Sequence, residues 1–169
     1  MSKTRMSTKL VVIIGLLVAM EIVLNRFLSI NAWNIKIGFS FIPVVVAAIV
    51  YGPVYGAIVG GLGDLLGAIM FPIGQYFPGF TFTAVLMGLV WGFFLHKEQT
   101  LPRIIIAAAL NQFILGLFLN TYWISFLYGS QYWPLFTTRI IQAAVLFVAQ
   151  VIIIYAMNKF IPRFKELMR

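Results

Sequence analysis

Two acids and two arginines that lie within or next to the apolar segments, apart from the basic clusters at the segment ends, give the first clue to what this chain binds. The acids are Glu21 and Asp64, and the arginines are Arg26 and Arg139. Arg139 lies about one turn inside the N-terminal end of a predicted helix, where the helix dipole disfavours a cation. A carboxylate held between the two arginines would stabilise both, because charge-assisted hydrogen bonds contribute about 1.5 to 3 kcal/mol each.

Purely structural explanations compete with this one. Arg26 can snorkel toward the membrane interface while complementing the C-terminus of its helix. Because an acid at a helix centre costs on the order of 2.5 to 3.5 kcal/mol on insertion, Glu21 and Asp64 each need a partner. That partner is either Arg26 or Arg139, or a ligand with cationic or N–H donor character that lies below an anionic tail. Lys36 is expected to be solvated.

Aromatic and neutral polar residues are predicted on the same outer side as the arginines. An interfacial belt is the usual explanation for such aromatics, but the inner side has far fewer, which favours a pocket that stacks on a flat ring. Asn120, Thr121 and Thr83 are expected to supply neutral hydrogen bonds. The outer aromatics are Trp33, Tyr76, Phe77, Tyr122, Trp123, Tyr128, Tyr132 and Trp133.

The composition indicates that membrane helices position these groups. Of the 169 residues, 62% are hydrophobic and 9% are charged, with a mean hydropathy of +1.02. Ordinary soluble domains are about 45 to 50% apolar and about 25% charged, so a water-soluble globule is excluded. A membrane span needs about 20 apolar residues, and the chain therefore accommodates about six spans in a lipid bilayer. No linker divides it, so residues 1–169 are expected to form one domain.

The apolar segments predict an all-α integral membrane protein with six transmembrane helices. A glycine ladder at Gly52, Gly56 and Gly60 lets neighbouring backbones approach closely in the third helix. Nine of the twelve basic residues fall on one predicted face, and the positive-inside rule therefore places both termini in the cytoplasm. The segments are residues 10–24, 38–50, a third that begins at Gly52-Pro53, and residues 80–95, 102–127 and 135–160.

Several classes of function are disfavoured by what the sequence lacks. There is no cysteine, and His96 is the only histidine, so neither thiol chemistry nor a multi-histidine metal site is expected. No phosphate-binding G-x-x-x-x-G-K-[ST] loop is present, which predicts a chain without its own ATPase. No cofactor is expected. The basic residues fall at segment ends rather than on a continuous face, which disfavours a nucleic-acid partner.

Four segments of the chain resemble the folate-specific S component of energy-coupling factor (ECF) transporters. The resemblance implies an S-component bundle in a prokaryotic cell membrane that crosses the membrane several times. It also implies capture of folate or reduced folates from outside, followed by docking on an ECF module of one transmembrane T subunit and two ATPase subunits. The segments are Leu24-Asn25-Arg26-Phe27-Leu28-Ser29-Ile30, Lys36-Ile37-Gly38-Phe39-Ser40-Phe41-Ile42-Pro43, Gly63-Asp64-Leu65-Leu66-Gly67 and Tyr76-Phe77-Pro78-Gly79-Phe80-Thr81.

With this resemblance, each candidate residue receives an expected role toward folate. Arg26 and Arg139 would hold the glutamate carboxylates, and Asp64 or Asn120 would bind the donor edge of the pterin. The ring faces would contact Tyr76, Phe80 and Trp123, with Thr83 as a neutral hydrogen-bonding group. Gly15 and Ala19, at small-x-x-x-small spacing on the first helix, match the docking surface for the T subunit, although Gly15 replaces the more usual alanine.

Other functions remain open on the sequence alone. An S component for another vitamin is the nearest, but thiamine is cationic, riboflavin lacks carboxylates, and pantothenate lacks a flat ring. A structural subunit of cell-envelope assembly would need the aromatics only as an interfacial belt. A small ion-coupled secondary transporter would use Asp64 and Glu21 as proton carriers.

Overall fold

Helices form most of the protein. The computed structural model describes residues 8–32, 35–162 and 166. Within these residues the helices are α1 (Thr8–Arg26), α2 (Phe41–Tyr51), α3 (Pro53–Met70), α4 (Pro78–Leu95), α5 (Leu101–Ala109), a π-helical segment (Leu110–Leu119), α6 (Asn120–Tyr128) and α7 (Tyr132–Asn158). All six apolar segments predicted from the sequence are helical.

Five of the helices are long and apolar enough to cross a membrane. They are α1, α3, α4, the continuous helix Leu101–Tyr128 and α7. The predicted second segment is shorter than its sequence range, because α2 has only 11 residues. At about 1.5 Å per residue it extends about 16 Å, well short of the hydrocarbon core of about 30 Å. By length alone, α2 is therefore too short to span the hydrocarbon core.

A short β-hairpin lies between α1 and α2, where the sequence predicted only a loop. Strands β1 (Ile30–Ala32) and β2 (Ile35–Ile37) pair antiparallel, with Asn31 opposite Lys36. The Gln142 Nε2 amide of α7 donates a hydrogen bond to the Lys36 carbonyl oxygen at 2.7 Å. The alternation of apolar residues in these six positions is the strand signal that the helix-based interpretation missed.

Glycines allow α3 and α4 to pack backbone to backbone, as the ladder predicted. A Cβ atom on Gly56 would lie 2.7 Å from the Gly88 carbonyl oxygen, and one on Gly60 would lie 2.8 Å from the Ala84 carbonyl oxygen. Gly52 joins α2 to α3 with φ of 101°, a backbone conformation that L side chains rarely adopt. The glycine ladder is thus confirmed as a close helix contact.

The two ends of the bundle are built differently. One end, here called the hairpin end, carries the β-hairpin, residues 71–77 and residues 129–131. At the other end, here called the His96 end, His96 Nδ1 lies 3.0 Å from the Ile49 carbonyl oxygen, and Asn158 Nδ2 donates to the Gln99 carbonyl oxygen at 2.9 Å. A buried apolar core with residues from α1, α2, α3, α4, α5 and α7 packs between the helices.

The long helix between residues 101 and 128 is not regular, although the sequence predicted a plain helix over 102–127. Its middle third is π-helical, and the backbone N–H of Asn120 donates to the carbonyl oxygen of Leu115, five residues earlier. A π segment widens a helix and changes the direction of its side chains, and such segments are frequent at functional sites. Here Asn111, Gln112 and Gly116 of the π segment line an internal cavity.

Candidate ligand-binding site

A cavity of about 420 Å³ lies among the helices and reaches the hairpin end. Its volume falls in the range of small-molecule sites, about 300 to 1,000 Å³. The loop after α3 contributes exposed residues such as Gln75 and Tyr76 to its mouth, whereas the fully buried Trp91 lies on its wall farther inside. Side chains from α1, α2, α3, α4, the π segment, α6 and α7 all contribute to the wall.

Six of the eight predicted substrate residues line this cavity. They come from five separate stretches of the chain, and the fold brings them to one place: Arg26, Asp64, Tyr76, Phe80, Asn120 and Arg139. The structure therefore joins residues that lie as much as 113 positions apart, 139 minus 26, in the sequence. The roles assigned to them remain predictions.

The other two predicted residues, Thr83 and Trp123, lie behind the cavity wall. Trp123 Nε1 donates a hydrogen bond to Thr83 Oγ1 at 3.1 Å, and the Thr83 hydroxyl donates to the Gly79 carbonyl oxygen at 2.9 Å. The Trp123 ring packs on Phe77 with centroids 5.5 Å apart, and Phe77 does line the cavity. These two side chains therefore support the cavity wall instead of lining the cavity as predicted, because they point toward each other.

Arg26 and Asp64 form the ion pair that the structural explanation predicted, but the pair is loose. Arg26 Nη2 lies 3.9 Å from Asp64 Oδ1 and donates to the Asp64 backbone carbonyl at 3.4 Å. The Thr81 hydroxyl donates to Asp64 Oδ2 at 2.8 Å. The carboxylate therefore contacts residues of two neighbouring helices, Thr81 of α4 and Arg26 of α1. Arg26 Nε is buried and has no hydrogen-bond partner.

Arg139 is buried without a carboxylate partner. Its side chain is 7% exposed, and Nη1 donates to the Thr121 hydroxyl at 3.3 Å. Among the described residues, none of the ion pairs includes Arg139. A buried charge without a counter-charge is costly, and a ligand carboxylate would remove that cost.

Lys36 is a third cation at the cavity, in contrast to the solvated position predicted from the sequence. Its side chain was expected to be solvated, but the hairpin turns it into the cavity wall. Burial lowers the pKa of Lys36 from 10.5 to about 8, and the positive charge of Arg26 adds to the decrease. Recognising the hairpin from its alternation would have placed this lysine beside the two arginines.

Buried polar atoms without partners are concentrated at this cavity. In the part of the chain that the structure describes, all eight such side-chain atoms belong to residues that line it. Native proteins leave few buried polar groups unpaired, so a cluster of them indicates a binding site. The atoms are Glu21 Oε2, Asn25 Oδ1, Arg26 Nε, Asn111 Oδ1, Asn120 Oδ1, Arg139 Nε, Gln142 Oε1 and Gln150 Oε1.

The aromatic residues divide into a cavity group and a surface group. Tyr76, Phe77, Phe80 and Tyr128 line the cavity, together with Trp91. The surface group includes Tyr122 and Trp133, the latter 70% exposed, as an interfacial belt requires. Trp33 lies outside the described residues. Both explanations of the aromatic cluster thus apply, each to different members.

Gly15 and Ala19 lie away from the cavity, on the exposed face of α1. A Cβ atom on Gly15 would meet nothing within 4 Å. Exposed apolar neighbours such as Val12 and Leu16 continue this face. The face is open to lipid or to a partner helix.

The described residues offer no group of three or more His, Asp or Glu side chains that could hold a metal ion. The side chains that line the cavity offer hydrogen bonds, charges and ring contacts. Three cations and a set of amide and carboxylate acceptors can hold a ligand that is anionic at one part and rich in N–H donors at another.

Comparison of the sequence with known proteins identifies a family of membrane proteins. A family model described as the substrate-specific component of ECF transporters matches residues 9–161. The folate transporter FolT of Clostridium novyi (strain NT) is 38% identical over 148 residues, 87% of this chain and 86% of that protein. The folate transporter FolT of Leuconostoc mesenteroides subsp. mesenteroides is 30% identical over 158 residues, 89% of this chain and 85% of that protein.

Solved structures agree with the sequence comparison. The crystal structure of FolT bound with folic acid has a TM-score of 0.86 at 33% identity and covers 90% of this chain and 95% of that one. An S component of a bacterial ECF transporter has a TM-score of 0.62 at 23% identity, covers 89% of this chain and 95% of that one, and is similar in fold. Because the family model spans most of the residues, this chain belongs to the substrate-specific components of ECF transporters.

Proposed function

We propose that this chain is a high-affinity folate-binding S component. It captures folate or reduced folates from outside the cell and delivers them by docking on a T subunit and two ATPase subunits. The chain supplies no ATPase of its own, and residues 1–169 act as a single transmembrane binding domain. Support comes from the family, from relatives named as folate transporters, and from the chemistry of the cavity.

The observation that carries this proposal is the set of unpartnered polar atoms at one cavity. Folate joins a flat pterin, with hydrogen-bonding edges, through an aminobenzoyl ring to a glutamate with two carboxylates. The free guanidinium atoms of Arg26 and Arg139 suit the carboxylates, and the aromatic wall at Tyr76 and Phe80 suits the rings. The free amide oxygens suit the donor edge of the pterin.

The other vitamins fit this cavity less well. The two cavity arginines and Lys36 repel cationic thiamine, and riboflavin offers no carboxylate to Arg139. Pantothenate has a carboxylate but no flat ring for the aromatic wall. A proton-carrying role for Asp64 has less support, because its carboxylate already accepts from Thr81 and lies near Arg26.

We further propose six membrane crossings with both termini in the cytoplasm. The short connections alternate between the two ends of the bundle, which requires α2 to return from the hairpin end to the His96 end. The basic residues Lys97, Arg103 and Lys159 follow the positive-inside rule if the His96 end is cytoplasmic. The cavity mouth then faces outward, and Gly15 and Ala19 on α1 remain free for the T subunit.

A titration of the purified protein tests the ligand. The protein is titrated with folic acid, riboflavin, thiamine and pantothenate while tryptophan fluorescence is recorded, since Trp91 lines the cavity and Trp123 supports its wall. We expect a saturable change with folic acid only, and a pteridine absorbance in protein purified without added ligand. A flat response to every folate would contradict the proposal.

A further inference from the structure

The geometry points to Glu21 as the residue that selects the ring end of the ligand. We infer that its carboxylate binds the donor edge formed by the exocyclic amine and the neighbouring ring N–H of a 2-amino-4-oxopteridine. This inference rests on the proposed function and deepens it. From the sequence, Asp64 or Asn120 is predicted to bind that edge. It also gives the ligand a direction in the cavity.

Glu21 is held in place while one of its oxygens is left free. The residue is 4% exposed, and Asn25 Nδ2 donates to Oε1 at 2.6 Å. The second oxygen, Oε2, has no hydrogen-bond partner. The carboxylate packs directly on the backbone of Gly63, where a Cβ atom would overlap Oε2. A buried carboxylate oxygen without a donor is unfavourable in the protein alone, so a ligand donor would be favoured there.

The other acid at the cavity is already occupied. Asp64 Oδ2 accepts from the Thr81 hydroxyl at 2.8 Å, and Oδ1 lies 3.9 Å from Arg26 Nη2. Asp64 therefore has less capacity left for a ligand than Glu21, which has no ion pair among the described residues. This difference moves the assignment of the donor edge from Asp64 to Glu21.

Free acceptor oxygens occur along the cavity, including those of Asn25 and Gln142 close to the arginines, whereas the two free donor nitrogens belong to the arginines. Glu21 precedes Arg26 by five residues on α1 and therefore lies about 7 Å farther from the hairpin end. Gln150 follows Arg139 by eleven residues on α7 and lies about 16 Å farther in. Both deeper residues leave an acceptor oxygen free, whereas both arginines leave a donor nitrogen free. A ligand with a donor-rich ring and an anionic tail fits with its ring inward.

A carboxylate is suited to two adjacent N–H donors. It accepts them as parallel hydrogen bonds, the same pattern that it forms with a guanidinium group. An amide in its place has one acceptor oxygen and presents an NH₂ group to the second donor. Sites built to hydrogen-bond a particular ligand group reject analogues that lack it, because the buried partner is then left unpaired.

The test compares two ligands in two proteins. Binding of folic acid and of its 2-desamino-2-methyl analogue, in which a methyl group replaces the exocyclic amine, is measured on the full chain in detergent. For the parent protein we expect the analogue to bind at least about tenfold more weakly. In Glu21→Gln we expect folic acid to lose about tenfold or more, with the two ligands then differing by less than about threefold.

Two controls separate this loss from misfolding. Glu98→Gln changes an exposed carboxylate that pairs with Arg103, remote from the cavity, and should keep the parent's preference. The tail fragment p-aminobenzoylglutamate should bind equally to the parent and to Glu21→Gln. If Glu21→Gln fails to fold, Glu21→Asp keeps the charge, retracts the carboxylate and should also lose the preference.

Undiminished preference for folic acid in Glu21→Gln, or in Glu21→Asp, would overturn the role of Glu21 while leaving the proposed function intact. Failure of the parent protein to bind folic acid at all would overturn the proposed function, and the role of Glu21 with it.

Discussion

The two arginines at the cavity are satisfied to different degrees. Arg26 has a loose ion pair with Asp64, whereas Arg139 has only the Thr121 hydroxyl. Each leaves its Nε atom free. A bound carboxylate would therefore add hydrogen bonds to both arginines. It would also give a counter-charge to Arg139, which has no acidic partner among the described residues.

Arg26→Ala is expected to lower folic acid affinity by more than about tenfold, because it removes a charge-assisted hydrogen bond to the ligand. Expression in the membrane should be unchanged. Equilibrium binding on purified protein measures the effect. Arg103→Ala, which removes a half-exposed arginine paired with Glu98, serves as the matched control and should bind as the parent does. Equal affinity of Arg26→Ala and parent would remove the anion-binding role.

Lys36 gives the binding site a pH dependence. Burial lowers its pKa to about 8, so the side chain is cationic below that pH and becomes neutral above it. Affinity for an anionic ligand should therefore be present at about pH 7 and decrease as the pH rises toward about 9. In Lys36→Gln the affinity should be lower at about pH 7 and should change little over the same range. Parallel pH profiles of affinity for the parent and for Lys36→Gln would contradict this role.

The elements differ in how well the sequence predicts them. The long apolar segments, the break at Gly52-Pro53 and the glycine contact between α3 and α4 followed from hydropathy and spacing. The hairpin did not, because only six residues carry its alternation. The π segment did not either, because its apolar pattern satisfies an ordinary helix and only tertiary packing selects the wider one.

The close contact of α3 and α4 can be tested by adding a single methyl group. Gly88→Ala places a Cβ atom against the Gly56 backbone, which cannot withdraw without separating the helices. We expect it to destabilise the fold by about 1 to 3 kcal/mol, measured as a lower midpoint of thermal unfolding in detergent. Gly15→Ala adds the same group in open space and should leave the midpoint unchanged. Equal midpoints for the two variants would contradict the contact.

At the scale of the whole molecule, the cavity and the candidate docking residues lie in different places. The cavity opens at the hairpin end, and the small residues Gly15 and Ala19 lie on the exposed face of α1 outside it. Substituting one region should therefore leave the function of the other intact. This separation is what a binding subunit with a detachable transport module requires.

Ala19→Leu is expected to abolish most folate uptake in cells while purified protein keeps the parent's affinity for folic acid. The larger side chain would hold a T-subunit helix away from α1, since close helix contacts in lipid depend on small residues. Uptake of labelled folate, with Val148→Leu as an exposed control on α7, measures the effect. Unchanged uptake would argue against docking at this face.

Some residues of the candidate site could be recognised from the sequence and others could not, for physical reasons. Arg26, Asp64 and Arg139 were recognisable because charge is costly within an apolar segment. Lys36 and Trp91 were missed, since the first depends on the hairpin and the second on which way α4 is rotated. Glu21 was noticed, but only the free Oε2 atom distinguishes its role from that of Asp64.

Isothermal titration calorimetry of the purified chain with folic acid, in parallel with Arg26→Ala combined with Arg139→Ala, tests most directly whether the cavity is a folate site. The account predicts one folic acid bound tightly per chain by the parent protein, and at least about a hundredfold weaker binding when both guanidinium groups are removed. No heat of binding with the parent protein, or the same affinity in the double variant, would contradict it.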